Sequence, residues 1–259
     1  MPTAKARDGT DIYFETRGDP ARPTVFMGPH FYASFRNDMI EGFEDPTQAW
    51  IDALAEDFHL LLADYPRGVG KTPNALGLDY SPDRAVEETC LIADAAGVDR
   101  FAWVGYSYGG AIGTQLACRS DRLSAFACGG FPPLNAPFER MVEITVDMAE
   151  NPLPEWPDMG DEVRYQAVGF YRPLLDWPER EEVAKLTIPR MAFMGTDDNG
   201  DGMPEQYLTP LARYLREAEQ DLADMGWQVN WLEGRNHLTA IAPEVALPVV
   251  REFFQEVLT

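Results

Sequence analysis

Gly105-Tyr106-Ser107-Tyr108-Gly109 sets a serine between two glycines, directly after the apolar run Phe101-Ala102-Trp103-Val104 and before a helix-like stretch from Gly110 to Ala117. Strand, sharp turn and helix form the setting in which a serine hydroxyl stands exposed as a nucleophile. Strain at the apex lifts the hydroxyl out of the sheet, and the flanking glycines let strand and helix pass closely. The first N–H groups of the helix then stand beside the serine, where negative charge would develop in acyl transfer.

A serine hydroxyl is a poor nucleophile at neutral pH and needs a base, and the base needs a third group to fix its tautomer. The chain has three histidines, His30, His59 and His237. His59 opens an apolar strand and reads as structural. His237 follows the last strand in the loop Glu233-Gly234-Arg235-Asn236-His237-Leu238, so it can fold over the end of a sheet towards Ser107. Asp197 and Asp198 follow the apolar run Met191-Ala192-Phe193-Met194 and offer a carboxylate at that same end.

These residues must be positioned by elements that the sequence also marks. Asp8-Gly9 is a two-residue hairpin signal between residues 3–7 and 10–17. Thr24-Val25-Phe26-Met27 and Leu60-Leu61-Leu62-Ala63 read as buried strands, and Leu123–Cys128 as another. Asp45-Pro46 and Ser81-Pro82 are helix starts, with Trp50, Ala53, Leu54 and Phe58 inward on the first and Gly97 stopping the second. Residues 204–225 predict one long amphipathic helix with Tyr207, Leu211, Leu215 and Leu222 inward, and Trp227–Leu232 the last strand. Pro248 is taken as the start of a C-terminal helix. Strands alternating with helices predict an α/β fold, a mostly parallel twisted sheet covered by helices on both faces.

The alternation breaks between residues 131 and 187, where eight prolines are interspersed with Met141, Met148, Trp156, Met159 and other large apolar residues. Prolines argue against sheet, and the apolar content against a solvated linker. The segment is read as a helical cap over the active-site end of a core formed by residues 1–130 and 188–259. Tyr106, Phe131, Met141 and Trp156 are then candidates to touch substrate.

The net charge of −22, with lysine only at positions 5, 71 and 185, repels nucleic acid and anionic membranes and favours a neutral or cationic substrate. Cys90, Cys118 and Cys128 are odd in number and lie in apolar patterns, which predicts free buried thiols. With no signal-like N-terminal run and no stretch of membrane-spanning length, this predicts a cytoplasmic protein. No Cys/His spacing suits a metal. The sequence leaves room for a homodimer.

Taken together, four segments resemble those of the α/β-hydrolase superfamily, and the resemblance extends over nearly the whole chain. Gly-Tyr-Ser-Tyr-Gly-Gly (105–110) resembles its nucleophile motif, and Asp-Tyr-Pro-Arg-Gly-Val-Gly-Lys-Thr (64–72) the turn after its fourth strand. Met-Gly-Thr-Asp-Asp (194–198) resembles the acid loop and Gly-Arg-Asn-His-Leu (234–238) the histidine loop. The resemblance implies the α/β-hydrolase fold with Ser107 as nucleophile, Asp198 as acid and His237 as base, Asp197 being the fallback acid. It assigns Asp64 and Arg67 a structural turn. One oxyanion donor is the N–H of Tyr108; the other comes from the loop after the third strand, where Gly28-Pro29-His30-Phe31 departs from the family's His-Gly. Proline has no N–H, so that donor is His30 or Phe31.

The implied activity is a cofactor-free, metal-free serine hydrolase cleaving a small-molecule carboxylic ester, uncharged and partly apolar, through an acyl-enzyme. A lactonase or carbon–carbon bond hydrolase uses the same residues, and a non-catalytic ligand-binding member is the alternative of another class. Family members with dehalogenase or epoxide hydrolase activity place aspartate where Ser107 stands.

Overall fold

The computed structural model of the chain describes residues 2–36, 44–152 and 159–258. Thr3–Lys5 (β1) and Asp11–Arg17 (β2) form the expected hairpin, with Ala4 opposite Ile12 and Gly9 at φ 85°. The further strands are Thr24–Met27 (β3), His59–Ala63 (β4), Phe101–Tyr106 (β5), Leu123–Gly129 (β6), Arg190–Gly195 (β7) and Gln228–Leu232 (β8). They make one sheet in the order β1-β2-β4-β3-β5-β6-β7-β8; β1 and β2 pair antiparallel, as do β2 and β4, and every other pair is parallel.

The helices are Thr47–Leu54 (α1), Pro82–Ala95 (α2), Tyr108–Arg119 (α3), Phe138–Glu150 (α4), Asp161–Tyr171 (α5), Glu179–Val183 (α6), Leu211–Asp224 (α7), His237–Ala240 (α8) and Pro243–Leu258 (α9). Alternation along the strands divides the core. Phe26, Trp103 and Phe126 stand in register across β3, β5 and β6 and pack with Ile92 of α2, Leu116 of α3 and Leu215 of α7. Their neighbours Met27, Val104 and Ala127 point to the other face, against Trp50 and Leu54 of α1 and Phe254 of α9. Both faces are therefore covered, as the continuous apolar strands require.

Local signals account for several starts. The Ser81 hydroxyl accepts the Arg84 N–H at 3.2 Å to cap α2, and the Asp45 carboxylate accepts the Thr47 N–H at 2.8 Å ahead of α1. Cys90, Cys118 and Cys128 are free, and burial pushes the thiols of Cys118 and Cys128 up to about 12. His59 faces Thr24, its Nδ1 3.0 Å from the hydroxyl.

Three expected boundaries are corrected. Residues 204–225 do not form one helix: Glu205–Tyr207 is a short 3-10 turn and α7 begins at Leu211. Pro210 disfavours helical angles at Thr209, whose N–H instead reaches the Asn199 carbonyl at 2.8 Å. The C-terminal helix begins at Pro243, with Pro248 inside it. The histidine loop contains a helical turn of its own, α8, which His237 opens.

Between β6 and β7 the chain forms α4, α5 and α6, which are bound to the rest of the molecule at several places, among them Arg180 of α6 on Asp221 of α7. Gln166 of α5 donates from Nε2 to the Arg67 carbonyl at 2.8 Å and accepts the Leu76 N–H at 3.1 Å. On the other side, the Tyr207 hydroxyl donates to Asp147 of α4 at 2.5 Å. Within the turn after β4, the Asp64 carboxylate accepts the N–H groups of Ser34 and Lys71, both at 2.8 Å. Arg67 pairs with Glu88 and Asp8, not with Asp64.

Candidate functional site

The carboxyl ends of β3, β5, β7 and β8 meet at one rim. There Ser107 has φ 51° and ψ −116°, angles that cost energy for a residue with a side chain. The turn is held at both ends: the Ser107 N–H donates to the Gly129 carbonyl at 2.8 Å, and its carbonyl accepts from Gly110 at 2.9 Å and Ala111 at 3.1 Å. A Cβ on Gly105 would fall on the carbonyl oxygen of Gly109, and one on Gly109 on that of Pro29. These two positions must be glycine for strand, helix and the loop after β3 to approach. Tyr108 opens α3, so its N–H has no partner within the helix.

The approach brings Pro29 and His30 beside the serine. In that loop the Phe31 N–H is committed to the Gly28 carbonyl at 3.0 Å, and the Phe31 ring packs on Trp50 with centroids 5.0 Å apart. His30 has φ 83°, and its carbonyl accepts the Thr47 hydroxyl of α1 at 3.2 Å. Of the two residues expected to supply a donor here, Phe31 has its N–H in a backbone hydrogen bond, whereas that of His30 interacts with the Tyr32 hydroxyl.

Asp198 is fully buried after β7, its Oδ1 accepting the Gly200 N–H at 3.0 Å. Its two oxygens lie 3.0 and 2.8 Å from Nδ1 of His237. Asp197 is exposed, and among the described residues only the Thr196 hydroxyl reaches its carboxylate, at 3.3 Å. His237 is fixed through its backbone as well. Asn236 and Thr239 form a reciprocal cap around α8. The His237 carbonyl accepts the Tyr106 hydroxyl at 2.6 Å, and its N–H donates to Asp201 at 3.3 Å.

Ser107 and His237 open onto one cavity of about 270 Å³, whose wall also includes His30, Tyr106, Tyr108 and Met141. The helical insertion contributes Ile144, Thr145 and Met148 besides Met141. These sit at helical spacing on one face of α4, a pattern that could have found them from the sequence. Asp201, the one carboxylate among the described residues of the wall, carried no such signal. Among the described residues of the wall there is no lysine or arginine.

One expected contact is not made by the described cavity. Phe131 is buried in the core between Phe138 and Tyr171 and is absent from the cavity wall. Trp156 lies outside the described residues. No group of three or more metal-ligating side chains occurs among the described residues, and none of their helices is long and apolar enough to cross a membrane.

Burial pushes His30 down to about 4, with the charge of His237 acting the same way and that of Asp45 against. Between its ordinary value near 6.5 and 4, the unfolded chain binds a proton that the folded chain does not. This contribution to stability is therefore lost as pH falls through that window. The urea midpoint is expected to fall more steeply from pH 7 to pH 5 in the parent than in His30→Asn, a residue that tolerates the same backbone angles.

A model of the alpha/beta hydrolase family matches residues 20–247. The chain belongs to the alpha/beta hydrolase family. The putative carbamate hydrolase RutD of Enterobacter cloacae is 31% identical to it over 111 residues, covering 41% of each chain. RutD of Escherichia coli is 33% identical over 82 residues, covering 30% of each. The match thus spans less than half the length of these curated relatives. Among solved structures, the enol-lactonase of Burkholderia xenovorans has a TM-score of 0.61 at 19% identity, over 98% of this chain and 100% of that one. A structure from work on carboxylesterases of Nitrososphaera gargenis has a TM-score of 0.67 at 14% identity, over 98% and 97%. These structures share the fold of this alpha/beta hydrolase, which agrees with the architecture implied by its motifs.

Proposed function

We propose that this alpha/beta hydrolase cleaves carboxylic esters of uncharged, partly apolar substrates through an acyl-enzyme. The observation that carries the reading is the buried Asp198 carboxylate on Nδ1 of His237, with His237 and the strained Ser107 in one cavity wall. His237 takes the proton as the Ser107 hydroxyl attacks the carbonyl and returns it to the leaving alcohol; Asp198 holds the imidazole in the tautomer this requires. The N–H groups of Tyr108 and His30 receive the oxyanion. The acyl-enzyme is then opened by water, which His237 activates in turn.

The substrate class follows from the wall. Met141, Ile144, Met148, Met203 and Leu238 offer apolar surface, with flexible methionines that adapt to more than one shape. Among the described residues of the wall, the single acid and the lack of a cation disfavour a carboxylate-bearing substrate. The helical insertion of residues 131–187, which supplies much of this wall, acts as the cap. The names of a putative carbamate hydrolase and an enol-lactonase among the relatives support testing those bonds beside open esters, and a neutral lactone meets the same requirements as an open ester.

The test is a panel of neutral esters, neutral lactones, carbamates and vinylogous diketones, together with a fluorophosphonate probe read by mass spectrometry. Turnover of neutral esters above their carboxylate-bearing counterparts, with the probe on the peptide holding Ser107, is expected. Turnover of lactones or diketones alone would move the assignment to those bonds. Tight ligand binding without labelling or turnover would favour the receptor reading.

A further inference from the structure

The nucleophile and the base sit on distant parts of the chain, yet one side chain joins them directly. Tyr106 precedes Ser107 in β5, and its hydroxyl donates to the backbone carbonyl of His237 at 2.6 Å. Its ring lies against the imidazole, centroids 5.1 Å apart, and is buried. On the opposite side of the same residue the His237 N–H donates to Asp201, which also accepts the Asn199 N–H at 3.3 Å. A substrate-binding tyrosine would keep its hydroxyl for ligand; this one is taken up by the backbone of the base.

We propose that Tyr106 is a positioning residue whose hydroxyl, with Asp201 as the second tether, clamps the backbone of His237 and so sets the imidazole's place relative to Ser107. This rests on the reading of Ser107 and His237 as nucleophile and base. The clamp has a clear geometric logic. Asp198 holds only the far nitrogen of the ring, so the ring could still swing about that bond. Fixing the carbonyl and N–H of the same residue removes that freedom. Because the tyrosine is the covalent neighbour of the serine, movement of the elbow carries the base with it. Burial, and the charges of Asp198 and Asp201 beside it, push the Tyr106 hydroxyl well above the usual tyrosine range, so it remains a donor.

Tyr106→Phe removes the hydroxyl and keeps the ring. Since reaction requires the base within hydrogen-bond reach, loss of this tether is expected to lower kcat about 10- to 100-fold with KM little changed. The rate of fluorophosphonate labelling should fall by the same factor. Asp201→Ala should lower both in the same direction, and Asp201→Asn, which keeps an acceptor oxygen, should recover most of the loss. This pair decides the matter should Tyr106→Phe fail to fold. A merely structural tyrosine would lower the melting temperature and leave kcat and labelling within about twofold of the parent, and that result would overturn the proposal.

The imidazole reports independently of any substrate. With three histidines in the chain, the Hε1 resonance of His237 is assigned by its loss in His237→Gln. At fixed pH its chemical shift is expected to move, or its line to broaden, in Tyr106→Phe, and an unchanged resonance would also overturn the clamp. A parent protein that neither labels nor turns over any ester would instead refute the hydrolase reading, leaving the resonance to decide the clamp.

Discussion

Asp198→Asn is expected to lower kcat by about 10⁴-fold with little change in KM, and Ser107→Ala by about 10⁶-fold. The asparagine fits the same space, so the loss reports chemistry and not packing. In the proposed mechanism the Asp198 carboxylate, 2.8 Å from Nδ1 of His237, keeps the proton on that nitrogen and leaves Nε2 to accept from Ser107. An amide NH₂ turned towards Nδ1 favours the opposite tautomer, whose Nε2 already holds a proton and cannot act as base. The imidazolium that forms in the transition state also loses its buried counter-charge. Asp197→Asn is the internal control. Its side chain is exposed on the outer side of the same loop, so kcat is expected to stay within about twofold of the parent. Steady-state kinetics on one neutral chromogenic ester compare the three variants. Equal losses in both aspartate variants would return the acid assignment to the pair.

The residue types themselves did not separate those two aspartates; only the family resemblance favoured Asp198. Both lie in Gly195-Thr196-Asp197-Asp198, and only the path of the chain after β7 turns one inward and the other out. The elbow was legible because its constraint is local. Gly105 and Gly109 stand where a Cβ would strike a backbone carbonyl, so their spacing around Ser107 is visible in the residues themselves. The hairpin at Asp8-Gly9 and the cap at Ser81-Pro82 were legible for the same reason.

Where long-range contacts decide, the pattern misled. Tyr207 continues the helical period of Leu211, Leu215 and Leu222, but its ring serves the cavity and its hydroxyl serves Asp147 across on α4. Phe131 stands near the start of the insertion with the composition of a pocket residue, yet it is enclosed by Phe138 and Tyr171. Tyr106 was legible as a site residue but not in its bond to His237, a partner 131 positions away.

The largest loss of stability is expected from Glu88→Ala, at about 3–5 kcal/mol in urea denaturation. Glu88 of α2 and Arg67, in the turn after β4, are both almost wholly buried. Nε of Arg67 meets one Glu88 oxygen at 3.1 Å, Nη2 meets the other, and Nη1 reaches Asp8 in the β1–β2 turn at 2.6 Å. The Arg67 carbonyl also holds Gln166 of the helical insertion. Removing Glu88 leaves a guanidinium in the core with one half-exposed partner, and the cost is that of an uncompensated buried charge. The intact pair need not be strongly stabilising, because desolvation of both groups offsets their attraction. The double variant Arg67→Met/Glu88→Leu is therefore expected to recover most of the loss. Asp8 is held well below the usual carboxylate range, first by its hydrogen bond to Arg67, so its contribution is present above that range and fades as pH falls through it. In Glu88→Ala, where Asp8 is the remaining partner, acid should unfold the protein at a higher pH than in the parent. If instead the single and double variants are equally unstable, the Arg67 side chain acts here through its packing and not its charge.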